Sequence, residues 1–183
     1  MTTSQSKGRT TTATRKRASA STSRSRKSAD ATSKNAIELL KADHAEVKQL
    51  FDRFEKLGED GPQDEKEEIV RDACAKLTVH ATIEEEIFYP AAREVPECEA
   101  LLNEAEVEHG TAKDLIATLD GMDAGDEMFD ANFTVLTEYI KHHVKEEEGE
   151  LFPQVSKSEL DLDALGEQLA LRKDELTSEL TPA

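Results

Sequence analysis

The sequence predicts an all-α fold: an antiparallel up-down four-helix bundle, with a disordered basic tail before it and a candidate short helix after it. Three observations predict this. Apolar residues recur three and four apart through four long stretches, the period of a helix with one buried face. Glycine and proline separate those stretches by short gaps, and short loops suit antiparallel neighbours. Two of the stretches also repeat one pattern, His80-xxx-Glu84 followed by Tyr89-Pro90 and His143-xxx-Glu147 followed by Phe152-Pro153. Each sets an imidazole and a carboxylate one helical turn apart on the same face.

Residues 1–34 hold nine lysines and arginines against the single acid Asp30, amid serine, threonine and alanine. Nothing there offers burial to offset ordering entropy, so this segment is expected to be disordered. It reads as a solvated tail, as a basic arm for nucleic acid or an acidic surface, or as an organelle transit peptide. The chain as a whole carries −17, so the body is strongly acidic and ill suited to bind nucleic acid through its field. Cys74 and Cys98 lack metal-ligand spacing, and no apolar stretch resembles a signal sequence. A reducing, cytoplasmic setting is expected. No apolar run approaches the ~18 residues of a membrane span.

The body, 35–155, divides into four helices. Helix 1 is expected over 36–57, with Asn35 and Glu38 as a capping box and Gly58 as its stop. Its stripe is Ile37, Leu40, His44, Val47, Leu50 and Phe51. Helix 2 runs from about Asp64 to Tyr89, with Ile69, Ala73, Leu77, His80, Glu84 and Ile87 on one face and Pro90 as its stop. Helix 3 starts near Pro96, where proline suits a first turn, and buries Leu102, Ala105, His109, Ala112, Ile116 and Leu119. Helix 4 spans about Glu127 to Phe152, with Phe129, Phe133, Leu136, Ile140, His143, Glu147 and Leu151 inward, and Pro153 ends it. The acidic segment 156–183 holds a candidate fifth helix over 159–178, which Gly166 weakens. At ~1.5 Å rise per residue the histidines of helices 1 and 2 lie level; those of helices 3 and 4 differ by ~10 Å unless helix 4 starts later.

Six side chains thus interrupt the apolar stripes at one depth: His44, His80, Glu84, His109, His143 and Glu147. A buried carboxylate without a partner costs several kcal/mol or takes up a proton. A cation removes that cost, and imidazole with carboxylate suits iron, manganese or zinc. Two acids among four histidines fit a pair of irons bridged by Glu84 and Glu147. Such irons stay redox-active, with a position open to a small oxidant. Glu85, Glu86, Glu146 and Glu148 read as solvated faces. Phe51, Phe88, Phe133 and Tyr139 read as core, with one or two lining a gas pocket, and Cys74 reads as packing.

This order of residues, His44, His80-xxx-Glu84, His109, His143-xxx-Glu147, resembles the pattern of the hemerythrin HHE cation-binding domain over about 36–153. The resemblance implies a four-helix bundle and a non-haem di-iron cofactor with oxygen, oxo or hydroxo species between the irons. It implies a small partner ligand: O2, peroxide or nitric oxide. Where oxygen-carrying hemerythrins place a second histidine on helix 3, this chain has Lys113, and where they use an aspartate late in helix 4 it has Glu147. Reversible oxygen carriage is therefore less expected than binding or sensing of an oxidant. Peroxidase- or catalase-like turnover, nitric oxide reduction and an iron-dependent regulatory module are the alternatives. Glu85, Glu108 and His142 are candidates for the missing ligand.

Overall fold

The computed structural model describes residues 34–180. Every regular element among them is helical. The basic segment lies outside the described residues, apart from Lys34. Helix α1 is Ala36–Leu57, with the bounds expected from its caps. Asn35 Oδ1 accepts from the Glu38 amide at 3.0 Å, and Glu38 Oε2 accepts from the Asn35 amide at 3.3 Å. These bonds satisfy amides that would otherwise lack helical partners, a cap that contributes ~1 kcal/mol. Gly58 then turns the chain at φ 64°, in the left-handed region that glycine enters without strain.

Helix α2, residues 63–92, is one continuous rod with an irregular turn: Gln63–Ile83 is α, Glu84–Phe88 is π, and Tyr89–Ala92 is α again. Helix α4, residues 129–155, repeats the arrangement with Phe129–Glu146, a π turn over Glu147–Leu151 and Phe152–Val155. Pro90 and Pro153 therefore do not end their helices. The π turn is the reason. The Tyr89 and Phe152 amides bond five residues back, to the Glu84 and Glu147 carbonyls. Helical pairing restarts there, so each proline sits in an opening turn where its missing N–H costs little. The extra residue also shifts the buried face. Ile87 is only partly buried, whereas Phe88 and Tyr89 are sealed in.

Helix α3, Glu99–Asp120, follows a 3₁₀ turn over Pro96–Cys98. Helix α4 starts at Phe129 rather than Glu127, after turns closed by Asp123 and Asp126. That later start removes part of the depth mismatch between His109 and His143. Helix α5, Leu162–Leu180, is a full helix and not a short one. Gly166 lies against the backbone at the start of α1. A Cβ there would lie 2.5 Å from the Lys34 carbonyl oxygen, so glycine permits the approach.

Helix α1 packs along α2, α3 along α4, α2 touches α3, and α5 lies against α1 and α2. The apolar core falls into two clusters. One gathers Leu40, Ile83, Phe88, Leu102, Phe152 and Leu169; the other gathers Phe51, Ile69, Leu77, Ile116, Phe133 and Leu136. The polar layer lies between them, held from both sides by packed side chains. No helix among the described residues is long and apolar enough to cross a membrane.

Candidate metal centre

Four helices each bring one imidazole to this layer, and α2 and α4 each add a carboxylate at the first residue of a π turn. Each of the six side chains is at most 7% exposed, and Glu84 is fully enclosed. The Nε2 atoms of His44 and His80 are 3.1 Å apart, and those of His109 and His143 are 3.2 Å apart. The carboxylates cross between these two pairs. Glu84 Oε2 lies 3.2 Å from His80 Nε2 and 3.5 Å from His109 Nε2. Glu147 Oε2 lies 3.3 Å from His44 Nε2 and 3.5 Å from His143 Nε2. Potential donor atoms of this layer form two overlapping groups: His44, His80, Glu84 and Glu147, and Glu84, His109 and His143; Glu108, His142 and Glu146 form a third group outside it. Glu84 belongs to both groups of the layer.

Each imidazole turns its other nitrogen to an acid on the helix before it. His80 Nδ1 is 3.5 Å from Asp43 Oδ2, the loosest of the set. His109 Nδ1 bonds Glu85 at 3.0 Å, His143 Nδ1 bonds Glu108 at 2.8 Å, and His44 Nδ1 bonds Glu148 at 2.9 Å. The acids thus run from α1 to α2, α2 to α3, α3 to α4 and α4 back to α1, a closed ring. An ionised carboxylate only accepts, so the Nδ1 atoms of His44, His109 and His143 donate, and the Nε2 atoms are the ones turned inward. Glu85 and Glu148 are therefore not merely solvated faces. Glu85 and Glu108 stand behind imidazoles rather than filling the position left by Lys113. His142 points outward, its side chain 57% exposed beside Glu146. Lys113 binds Glu85 at 2.5 Å and so steadies the acid that orients His109.

Sequence reasoning missed Asp43, which stands behind His80, and Tyr89. The Tyr89 hydroxyl donates to Glu147 Oε1 at 3.0 Å and lies 3.2 Å from His109 Nε2. The equivalent residue in the other repeat, Phe152, stacks on His44 with ring centres 5.8 Å apart. The signal for Tyr89 was the tyrosine-for-phenylalanine difference between two otherwise matching stretches. Tyr139, read as core, is 38% exposed. Cys74 is buried, and burial with the Asp120 charge pushes its thiol up to about 12.

The layer is unbalanced without a cation. Glu84 Oε1 and Oε2 and Glu147 Oε2 are buried and accept no hydrogen bond. Burial, then the Glu147 charge, holds the Glu84 carboxyl well above the usual range. Burial alone would raise Glu147 too, but His143, His44 and His80 hold it down to about 2. The surroundings thus push the two acids in opposite directions, Glu84 toward its protonated form and Glu147 toward its ionised form. Burial and the charge of His143 bring His109 down to about 4. Orphaned carboxylate oxygens facing imidazole Nε2 atoms, with no thiolate among them, fit a cation that takes nitrogen and oxygen donors.

A family model, the hemerythrin HHE cation binding domain, matches residues 35–155. That span contains all six side chains. Among solved structures, a hemerythrin HHE cation binding domain-containing protein from Mycobacterium kansasii superposes with a TM-score of 0.65 at 24% identity, over 80% of this chain and 89% of that one. At this identity the likeness shows a shared fold. No curated protein matches the chain.

Proposed function

The chain belongs to the hemerythrin HHE cation binding domain family, and from that premise we propose that His44, His80, Glu84, His109, His143 and Glu147 hold two non-haem irons in an antiparallel up-down bundle. In this reading the protein binds or senses a small oxidant: O2, peroxide or nitric oxide. The observation that carries it is the set of three buried carboxylate oxygens without hydrogen bonds, facing four imidazoles whose far nitrogens face acids. Glu84 and Glu147 each approach one histidine of either pair, which suits two bridging carboxylates. When bound, iron would supply electrons and an open position for the oxidant. The chain's own residues orient the donors, pack apolar side chains on either side of the layer, and hold a proton on the Tyr89 hydroxyl beside Glu147.

That hydroxyl favours a second reading, an enzyme that reduces peroxide or nitric oxide. A buried phenol within hydrogen-bond reach of both Glu147 and His109 can pass on its proton. Metal analysis of the purified chain, with an optical spectrum, tests the iron reading; two irons per chain are expected. A chain that holds no metal and melts at the same temperature with and without iron overturns it. Stopped-flow mixing of the reduced form with O2 and then peroxide separates binding, as a single stable adduct, from catalysis, as repeated turnover.

A further inference from the structure

A cavity of about 870 Å³ opens beside the imidazoles. A peroxide or diatomic gas needs little more than one water's share, ~30 Å³, so the cavity far exceeds the small ligand. Its size falls in the ~300–1,000 Å³ range of organic-ligand pockets. The cavity is a window between α1 and α4. Two of its lining rings are held by packing: Phe51 meets Phe133, and His44 stacks on Phe152. Its walls combine the apolar Val47, Leu77, Ile116 and Ile140 with the four imidazoles.

The lips are cationic, although the chain is strongly acidic. Lys41 and Lys48, two turns apart on α1, face Lys141 and Lys145, one turn apart on α4. None of the four makes an ion pair among the described residues. The acids that line the cavity are already engaged: Asp43 with Lys173 and His80, and Glu148 with His44. Like charges along both lips repel unless an anion lies between them.

We infer that this window binds a straight-chain carboxylate of the fatty-acid type, its head group between the lysines of α1 and α4 and its tail on the apolar side chains. An acidic peptide fits less well, because its backbone polar groups would lie unpaired against those side chains. The site stands on the window and the lysines, whichever ion the imidazoles hold.

Calorimetric titration of the full chain with sodium dodecanoate, dodecanol and dodecyltrimethylammonium tests this. Dodecanoate binds once per chain, dodecanol at least ~10-fold more weakly, and the cation not at all. The triple variant Lys48→Gln, Lys141→Gln, Lys145→Gln, all at exposed positions, weakens dodecanoate by roughly 10-fold and leaves dodecanol unchanged. Binding is the same with iron present and after chelation. No binding of dodecanoate, equal binding of dodecanoate and dodecanol, or an unchanged affinity in the variant overturns the inference. Dodecanoate binding only with iron puts the head group on the metal and overturns its placement. An aspartate-rich peptide that binds where dodecanoate does not makes the lips a protein-docking edge, which also overturns it.

Discussion

Replacing Glu84 by leucine should move the metal-free and metal-loaded proteins in opposite directions. Glu84 is fully enclosed, and neither of its oxygens accepts a hydrogen bond. Leucine has a similar volume and no polar atom, so the metal-free chain gains about 1–3 kcal/mol, the usual cost of a buried unsatisfied group. For a chain of this size that is a rise of ~2–4 °C in Tm per kcal/mol. The gain depends on pH with a definite sign. The folded carboxyl is held above its usual range by burial and by the Glu147 charge. Its contribution to the wild type is therefore fully present below the unfolded value of 4.5 and is lost as pH rises through the folded value. The variant lacks this slope, so its advantage grows toward neutral pH. Iron binding requires both acids ionised, so it releases a proton from the wild type. Scanning calorimetry of chelated and iron-loaded samples at several pH values, with metal analysis, reads all of this. A variant that is less stable in both states, or that keeps its full iron content, would refute the reasoning that the acid is tolerated for a cation.

Four further outcomes are expected. Tyr89→Phe removes the hydroxyl from Glu147 and His109; iron content stays and stability falls by ~0.5–1.5 kcal/mol, while any peroxide turnover measured in stopped flow slows. Glu108→Gln weakens the acceptor behind His143 and lowers iron affinity ~10–100-fold in competition with a chelator, with helix content by circular dichroism unchanged. Gly166→Ala places a methyl against the Lys34 carbonyl and costs ~1–3 kcal/mol in thermal melts, because backbone rather than a pliable side chain meets it. Removing 1–33 leaves iron stoichiometry unchanged; a loss of iron on metal analysis would give that segment a part in the site.

How legible the chain was depended on which physical rule governed each residue. The ends of α1 could be read because a capping box and a left-handed glycine are local devices, settled by Asn35, Glu38 and Gly58 alone. The polar layer could be read because His80 with Glu84, and His143 with Glu147, interrupt apolar stripes at the helical period. Pro90 and Pro153 were misread because the rule that proline stops a helix assumes α pairing, and the π turns beginning at Glu84 and Glu147 change that pairing. Gly166 was read for its weak helix propensity, whereas its effect comes from a contact 130 residues away that no local rule contains.

The ring of acids was hidden for a different reason. From sequence, Asp43 stood unremarked, Glu148 read as a solvated face, and Glu85 and Glu108 read as candidate ligands, because only the rotation of each imidazole shows which acid stands behind it. Yet the chain spells them regularly. An acid precedes His44 and His109, and a second acid follows Glu84 and Glu147. Each half of the bundle is therefore an acid-His pair followed by His-xxx-Glu-Glu. The first acid reaches the next helix within its own half, Asp43 to His80 and Glu108 to His143. The last acid crosses to the other half, Glu85 to His109 and Glu148 to His44. Two similar halves thus each orient an imidazole of the other. The departures from that symmetry, Tyr89 against Phe152 and Lys113 behind Glu85, fall around His109, so chemistry that treats the two histidine pairs differently is expected on the His109 side.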